Sequence, residues 1–463
     1  MKDRHFLAID LGATSGRAII GTLADGRVSM NEIHRFPNGI VKKDGHSYWD
    51  FDSLFANVKE GLRKAAALGV EIDSVGVDTW GVDLVFFGKD GKPLGMPYSY
   101  RDTQTEGVPE TFFRNVMGRE DLYARTGIQV MNFNTLFQLY ALKLRQDPVL
   151  ENADMALFMP DAISYMLTGK AVCEYTIAST SHFLDPKTGE LDGDLLSRIG
   201  VSRTLFPKVV LPGTEVGVLS KEISDECGLP QIPVIAVAGH DTASAVAAVP
   251  ARDANFAYLS SGTWSLLGVE LDHPVLSSDA AAMNITNEGG VDGTVTFLKN
   301  ITGMWILENV LKEWTVSGKK YTYPQIVEMA EASEPRRFIF NPDDPSLANP
   351  ASMIEAIDAC FPQGGPKTDA EYVRSIFDSL AARYKTCLED IKKVTGVRVD
   401  RLHIIGGGSK NALLNKLTQE ATGVEVIAGP AEATAFGNIM IQASAVGAVD
   451  GIWDMRKVIS ASL

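Results

Sequence analysis

The sequence predicts an α/β protein built as two domains, and three observations predict it. At 463 residues the chain exceeds what one ordinary hydrophobic core organises, so two domains of roughly 200 residues or more each are expected. Apolar runs of strand length alternate with longer helical patterns along most of it. One plan also occurs twice, about half the chain apart. "HFLAIDLGATSGRAIIGTL" near the start and "ANFAYLSSGTWSLLGVEL" at 254–271 both read as apolar strand, Gly/Ser/Thr turn, apolar strand.

In order, the first hairpin breaks at Gly12, with the polar loop "ATSGR" between its strands. "VKEGLRKAAALG" has a helical period, "IDSVGVDTWGVDLVFF" reads as two strands around a loop, and a helical stretch is expected from about Leu136 to Gly169. The apolar run "IPVIAVA" leads into "GHDTASAV", whose small residues suit a close-packed helix. After the second hairpin, "ITGMWILENVLKEW" and "AEYVRSIFDSLAARYKTCLEDIKKVTG" read as helices. "RLHIIGGGSKNALLNKLTQEATG" and "VEVIAGPAEATAFGNIMIQASAVG" each read as strand, loop, helix. The repeated hairpin sets the domain boundary in "AAVPARDAN", giving domains of residues 1–249 and 250–463.

Charge narrows the partners. With 43 basic and 58 acidic residues the net charge is −15, and no basic tract follows a phosphate backbone. Nucleic acid and anionic membrane are therefore not expected partners, although loop N–H groups and a divalent cation still allow an anionic ligand. Cys173, Cys227, Cys360 and Cys387 are scattered, without zinc-ligand spacing, and read as reduced thiols. Asp10 interrupts the first apolar stretch before it reaches signal-peptide length, and no run approaches the roughly 18 apolar residues of a membrane span. A soluble cytoplasmic protein is expected.

No P-loop and no strand-coupled G-x-G-x-x-G occurs. What remains are the two Gly/Ser/Thr turns and the glycine loop at 406–408. Each turn alone is explained by tight-turn geometry; together with the glycine loop they point to phosphate binding. Asp10 ends the first strand beside its turn, where a carboxylate either holds hydrated Mg²⁺ or accepts from the turn amides. Asp241 follows a strand end at a helix start, so it reads as an N-cap, as a catalytic acid–base group, or as both at once. His240 reads as a hydrogen-bonding prop, and of Trp80, Trp264 and Trp305 only Trp80, in "DTWGVD", is expected to reach a pocket.

The segments "AIDLGATSGR", "SVGVDTWGVDLVFF", "YRDTQTEG", "ARTGIQVMNFNTLFQL", "FMPDAISYMLTGK", "AGHDTASAV", "YLSSGTWSLLGVE", "NITGMWILE" and "IIGGGSKNALLNKLTQEATG" resemble, in order and spacing, the FGGY carbohydrate kinases. The resemblance covers roughly residues 6–450, and "DTWGVD", "NTLFQL" and "GTWSL" resemble the branch acting on L-rhamnulose. It implies two ribonuclease-H-like domains closing on a cleft that takes Mg²⁺, ATP and a ketose. It also implies phosphate contacts from Ala13, Thr14, Ser15, Gly16 and Arg17, a second phosphate contact from Thr263, and an adenosine side at Gly407 and Asn411. Gly81, His240, Asp241, Thr242 and Asn300 are implied at the sugar, with Asp241 as proton acceptor and Asp10 toward the metal. Glu308 stands where the family places a glutamine near the nucleotide, and a carboxylate there repels ATP, so it is left out of the site. The implied activity is ATP-dependent phosphorylation of L-rhamnulose to the 1-phosphate by a monomer or homodimer. The alternatives are another ketose, such as L-fuculose or a xylulose, a silent sugar-binding regulator, or an actin-like ATPase module.

Overall fold

The computed structural model describes residues 3–463. The first hairpin forms as its apolar runs and turn require: β1 (Arg4–Leu11) pairs antiparallel with β2 (Ser15–Ala24), which pairs with β3 (Arg27–Pro37). β4 (Ser74–Thr79) lies parallel to β1 on its other side. β5 (Thr214–Val218) and β6 (Pro233–Ala236) complete a six-stranded sheet in the order β5-β6-β4-β1-β2-β3. Strands β1 and β4 are covered on both faces, which is why they read as near-continuous apolar runs rather than alternating ones.

The second hairpin repeats the plan. β7 (Phe256–Ser261) pairs antiparallel with β8 (Trp264–Leu271), and the sheet also contains β9 (Thr286–Gly289), β10 (Val295–Thr302), β11 (Arg401–Ile405) and β12 (Glu425–Ala428). Its order is β9-β10-β8-β7-β11-β12, with β11 parallel to β7 as β4 is to β1. Five strands correspond in order, β3-β2-β1-β4-β6 in the first sheet and β10-β8-β7-β11-β12 in the second, while β5 and β9 are extra edge strands at opposite ends. The resemblance of the two hairpins in the sequence is thus the visible part of a repeated five-strand core.

The chain divides into two compact units, the first of which holds every strand of the first sheet. One comprises residues up to Arg252 with Leu271–Phe297 and Ala433–Leu463; the other comprises Asp253–Glu270 and Leu298–Glu432. The helices that matter for the site are α1 (Thr135–Leu144), α2 (Tyr175–Ser179), α3 (Asp241–Ala247), α4 (Asp369–Thr395), α5 (Ala412–Thr422) and α6 (Ala433–Ala445). Helix α4 starts on a reciprocal capping box between Thr368 and Glu371 and stops at Gly396, whose φ of 70° is the left-handed C-cap.

The expected helix from Leu136 to Gly169 is instead two longer helices separated by a short one and a strand. After α1 come Pro148–Asn152, the strand Met155–Phe158 and the helix Met159–Thr168. The run "MALF" is too short for its period to discriminate, and Leu84–Phe87 takes it as an antiparallel partner.

Candidate active site

Parallel strands direct their carboxyl ends to one edge of a sheet, and there the first unit gathers acids. Asp10 at the end of β1 lies directly opposite Asp78 on β4 in the parallel register. One residue on, Thr79 bridges to His240 beyond the end of β6, with Thr79 N–H donating to the Gly239 carbonyl at 2.8 Å. The next residue is Asp241. Three neighbouring strands thus deliver Asp10, Asp78 and Asp241 to one edge, and Asp78 is the member that sequence reasoning missed. Its signal was the repetition of an acid at a strand end, "AID" and "GVD".

The three differ in surroundings. Asp10 is buried and ion-paired with Arg17. Asp78 is fully buried, its Oδ2 accepting from Asn438 Nδ2 at 2.5 Å and its Oδ1 without a hydrogen-bond partner among the described residues. Burial first, then Asp10, pushes its carboxyl well above the usual range. Asp241 keeps a side-chain exposure of 33 %, yet enough protein surrounds it that desolvation, reinforced by Asp10, raises its pKa against the opposing pull of His240 and Thr242. Asp241 is not the cap of α3: that position is His240, which makes no side-chain capping bond, and Asp241 is the first helical residue. The N-cap alternative is therefore set aside by the geometry.

Gly81, His240 and Thr242 lie around Asp241. A Cβ placed on Gly81 would sit 3.5 Å from His240 Nε2 and 3.3 Å from Thr180 Cγ2, and Thr242 Oγ1 donates to Asp241 Oδ1 at 3.3 Å. Beside Gly81, Val82 has φ of 70°, an uncommon conformation for a β-branched residue that costs on the order of 1–3 kcal/mol. Its neighbours hold it there. Val82 N–H donates to Thr180 Oγ1 at 3.2 Å, and its carbonyl accepts from Thr135 Oγ1 at 2.7 Å. Asp83 accepts from Trp49 Nε1 at 2.6 Å, Trp80 Nε1 at 2.9 Å, Tyr100 N at 3.1 Å and Gln138 Nε2 at 2.9 Å. Burial raises the Asp83 pKa to about 6 despite these four donors. The segments "DTWGVD" and "NTLFQL" therefore meet through Thr135 and Gln138. Trp80, expected to reach a pocket, is instead core: it is buried against Trp49, with ring centroids 4.3 Å apart.

The first turn is built as a donor-rich corner. Gly12 N–H donates to the Ser15 carbonyl at 2.9 Å, and Asn38 closes the loop onto the Gly12 and Thr14 carbonyls at 2.9 and 3.0 Å. Ala13, Thr14 and Ser15 form its tip, Thr14 exposed, and Arg17 stands over Asp10. Gly16 has a packing role, because a Cβ there would lie 2.2 Å from the Phe36 ring.

In the second unit the turn around Thr263 is tighter by one residue, with Gly262 N–H donating to the Trp264 carbonyl two residues on at 2.8 Å. Thr263 Oγ1 donates to Glu308 Oε1 at 3.4 Å, so Glu308, which sequence reasoning set aside, adjoins this turn. The glycine loop lies against it: a Cβ on Gly408 would come within 2.0 Å of Ser261 Oγ, whereas Gly407 faces open space. Asn411 is buried and its Oδ1 caps α5, accepting from Leu414 N at 3.0 Å, while its Nδ2 makes no hydrogen bond among the described residues. Asn300 lies half-buried on β10. Among the described residues no group of three or more His, Cys, Asp or Glu side chains is arranged to hold a metal ion by itself. The unpartnered Asp78 Oδ1 beside Asp10 does fit hydrated Mg²⁺, which is held by one or two carboxylates together with phosphate oxygens.

Known proteins share this architecture. The structure superposes on a xylulose kinase from Lactobacillus acidophilus with a TM-score of 0.83 at 16 % identity, covering 98 % of this chain and 92 % of that one. A Plasmodium falciparum glycerol kinase solved with ADP gives 0.79 at 15 %, covering 98 % and 92 %. At such identities the likeness concerns the fold alone. In sequence, the chain is 51 % identical to a rhamnulokinase of Bacteroides thetaiotaomicron, covering 99 % of this chain and 94 % of the relative. It is 43 % identical to one of Enterobacter sp. (strain 638), covering 99 % and 92 %. Models of the N-terminal and C-terminal domains of the FGGY family of carbohydrate kinases match residues 5–248 and 257–446, the segments that carry the two repeated sheets. With both halves matched, the chain belongs to the FGGY family of carbohydrate kinases.

Proposed function

We propose that this enzyme phosphorylates L-rhamnulose with ATP, giving L-rhamnulose 1-phosphate and ADP in rhamnose breakdown, with Asp241 as the general base. The observation that carries the reading is the likeness along nearly the whole chain to two rhamnulokinases. Those relatives favour neither another ketose nor a silent sugar-binding module.

A sugar hydroxyl is a poor nucleophile at neutral pH, and a carboxylate within hydrogen-bond reach takes its proton as the new O–P bond forms. Asp241 is suited to this: it keeps access to solvent, and its raised pKa makes it a stronger base than an ordinary aspartate. Gly81, His240, Thr242 and Asn300 orient the sugar. Ala13, Thr14, Ser15, Gly16, Arg17 and Thr263 serve the phosphates, and Gly407 and Asn411 the adenosine. Asp10 would hold Mg²⁺, which when bound supplies the charge that neutralises the transferring phosphoryl group. All of these groups belong to one chain, so the reading needs no second copy, whether the protein is a monomer or a homodimer. No helix among the described residues is long and apolar enough to cross a membrane, and the four cysteines are free thiols, which fits work in the reducing cytoplasm.

A coupled ADP-release assay over L-rhamnulose, L-fuculose, xyluloses and glycerol tests the reading. The highest specificity constant should belong to L-rhamnulose. Equal or better turnover of another substrate in the panel would defeat the assignment of the sugar.

A further inference from the structure

Glu288 lies in "TNEGG", outside every segment that marked the site in the sequence, yet β9 delivers it to His240. Its Oε2 is 3.3 Å from His240 Nδ1. Both atoms are shielded from solvent, and neither makes a hydrogen bond among the described residues, so the two meet as a close ion pair rather than as an aligned hydrogen bond. Across the ring, His240 Nε2 is 3.6 Å from Asp241 Oδ1. One imidazole therefore connects a buried acid to the base.

The chain spends several close contacts on this arrangement. Gly289 N–H donates to Ser179 Oγ at 2.8 Å, and a Cβ on Gly289 would lie 2.5 Å from the Tyr175 ring, so β9 is held tightly on α2. The same helix holds His240. Glu174, at the start of α2, accepts from Gly239 N at 2.9 Å, and Thr176 Oγ1 accepts from His240 N at 3.2 Å. Thus α2 fixes both partners relative to one another. The charged groups acting on the imidazole are Glu288, Asp241 and Glu174; burial works against the cation, but these acids outweigh it and raise the His240 pKa. The cation in turn favours the ionised form of Asp241.

We propose that Glu288 is a positioning residue for phosphoryl transfer: its carboxylate pairs with His240 Nδ1 and holds the ring so that Nε2 is presented beside Asp241 to the sugar. An ion pair that only braced the fold would need no ring nitrogen facing the base. The inference rests on the assigned roles of Asp241 and His240, and it extends the site to a residue from the other half of the sequence.

The test is Glu288→Gln, nearly the same shape without the charge, assayed with L-rhamnulose and ATP. The specificity constant for the sugar should fall on the order of 10–100-fold, the size of loss seen when the outer partner of a metal-binding histidine is removed, while KM for ATP stays within about twofold. Nitrogen-15 spectra of histidine-labelled protein, with His240 assigned through His240→Gln, should show a protonated Nδ1 in the parent and its loss or weakening in Glu288→Gln. Parental sugar kinetics in the variant, or an activity loss with an unchanged His240 spectrum, would overturn the proposal. A bare Nδ1 in the parent would overturn it as well, and that spectrum decides the matter even where the variant does not fold. Should the parent phosphorylate none of the sugars, the functional reading falls, while the spectrum still tests the pair.

Discussion

Asp241 is a partly exposed carboxylate whose proton affinity is raised, chiefly by burial and then by Asp10. A base must be ionised to act, so a raised pKa moves the loss of activity to higher pH. The sugar specificity constant should therefore decline on the acid side with a midpoint clearly above the ordinary Asp value of about 4. A pH–rate profile measured under conditions where the protein stays folded checks this; an acid limb at the ordinary value would show that Asp241 is not perturbed as described. At this scale the sequence was informative where a residue's neighbours in the chain set its role. Asp10 and Asp241 stood out because strand patterns precede them. Asp78 carried the same strand-end signal in "GVD" and was passed over because no turn follows it as at Asp10, whereas Glu288 gave no signal, because what makes it special is burial beside a group far away in sequence. Asn411 was legible as a residue at a glycine loop, but not as the buried cap of α5.

Elements place these residues through close contacts between small side chains. Helix α6 crosses α3 so tightly that a Cβ on Gly437 would lie 1.8 Å from the Ser244 carbonyl oxygen. Its polar stripe reaches the sheet: Asn438 donates to Asp78, and Gln442 donates to the Leu7 carbonyl at 3.0 Å and accepts from Ser74 Oγ at 2.8 Å. Gly437→Ala must push the two helices apart, and because α3 begins with Asp241 the shift moves the base. Overpacking of this kind costs about 1–3 kcal/mol, so chemical denaturation should show a loss of that size together with reduced turnover. Parental stability and turnover would mean the helices do not meet as described. The sequence announced α3 as close-packed through "DTASAV" but was silent on its partner, because the contact joins residues nearly 200 positions apart. It also ran helix through "MALF", where a four-residue apolar run carries no decisive period and tertiary pairing settles the outcome.

For the whole molecule, the repeated hairpin gave the fold class, since each turn carries its own glycine and hydroxyl chemistry. It could not reveal that the chain returns at Ala433 to complete the first unit. Residues 1–252 contain every strand of the first sheet, yet lack α6, whose Asn438 and Gln442 hold β1 and β4 together. Expressed alone, that fragment should be poorly soluble or lack cooperative unfolding by circular dichroism. A cooperatively folded fragment with the parent's near-ultraviolet signature would show that α6 is dispensable.

The central claim, that the carboxylate after β6 drives sugar phosphorylation, is tested most directly by Asp241→Asn. Asparagine keeps the shape but lacks the charge and the proton-accepting oxygen, and Asp241 caps nothing whose loss would unfold α3. Turnover of L-rhamnulose and the thermal midpoint should be measured on one preparation. The account predicts turnover lower by on the order of 10²- to 10⁴-fold with an essentially parental midpoint; near-parental turnover in a folded variant would contradict it.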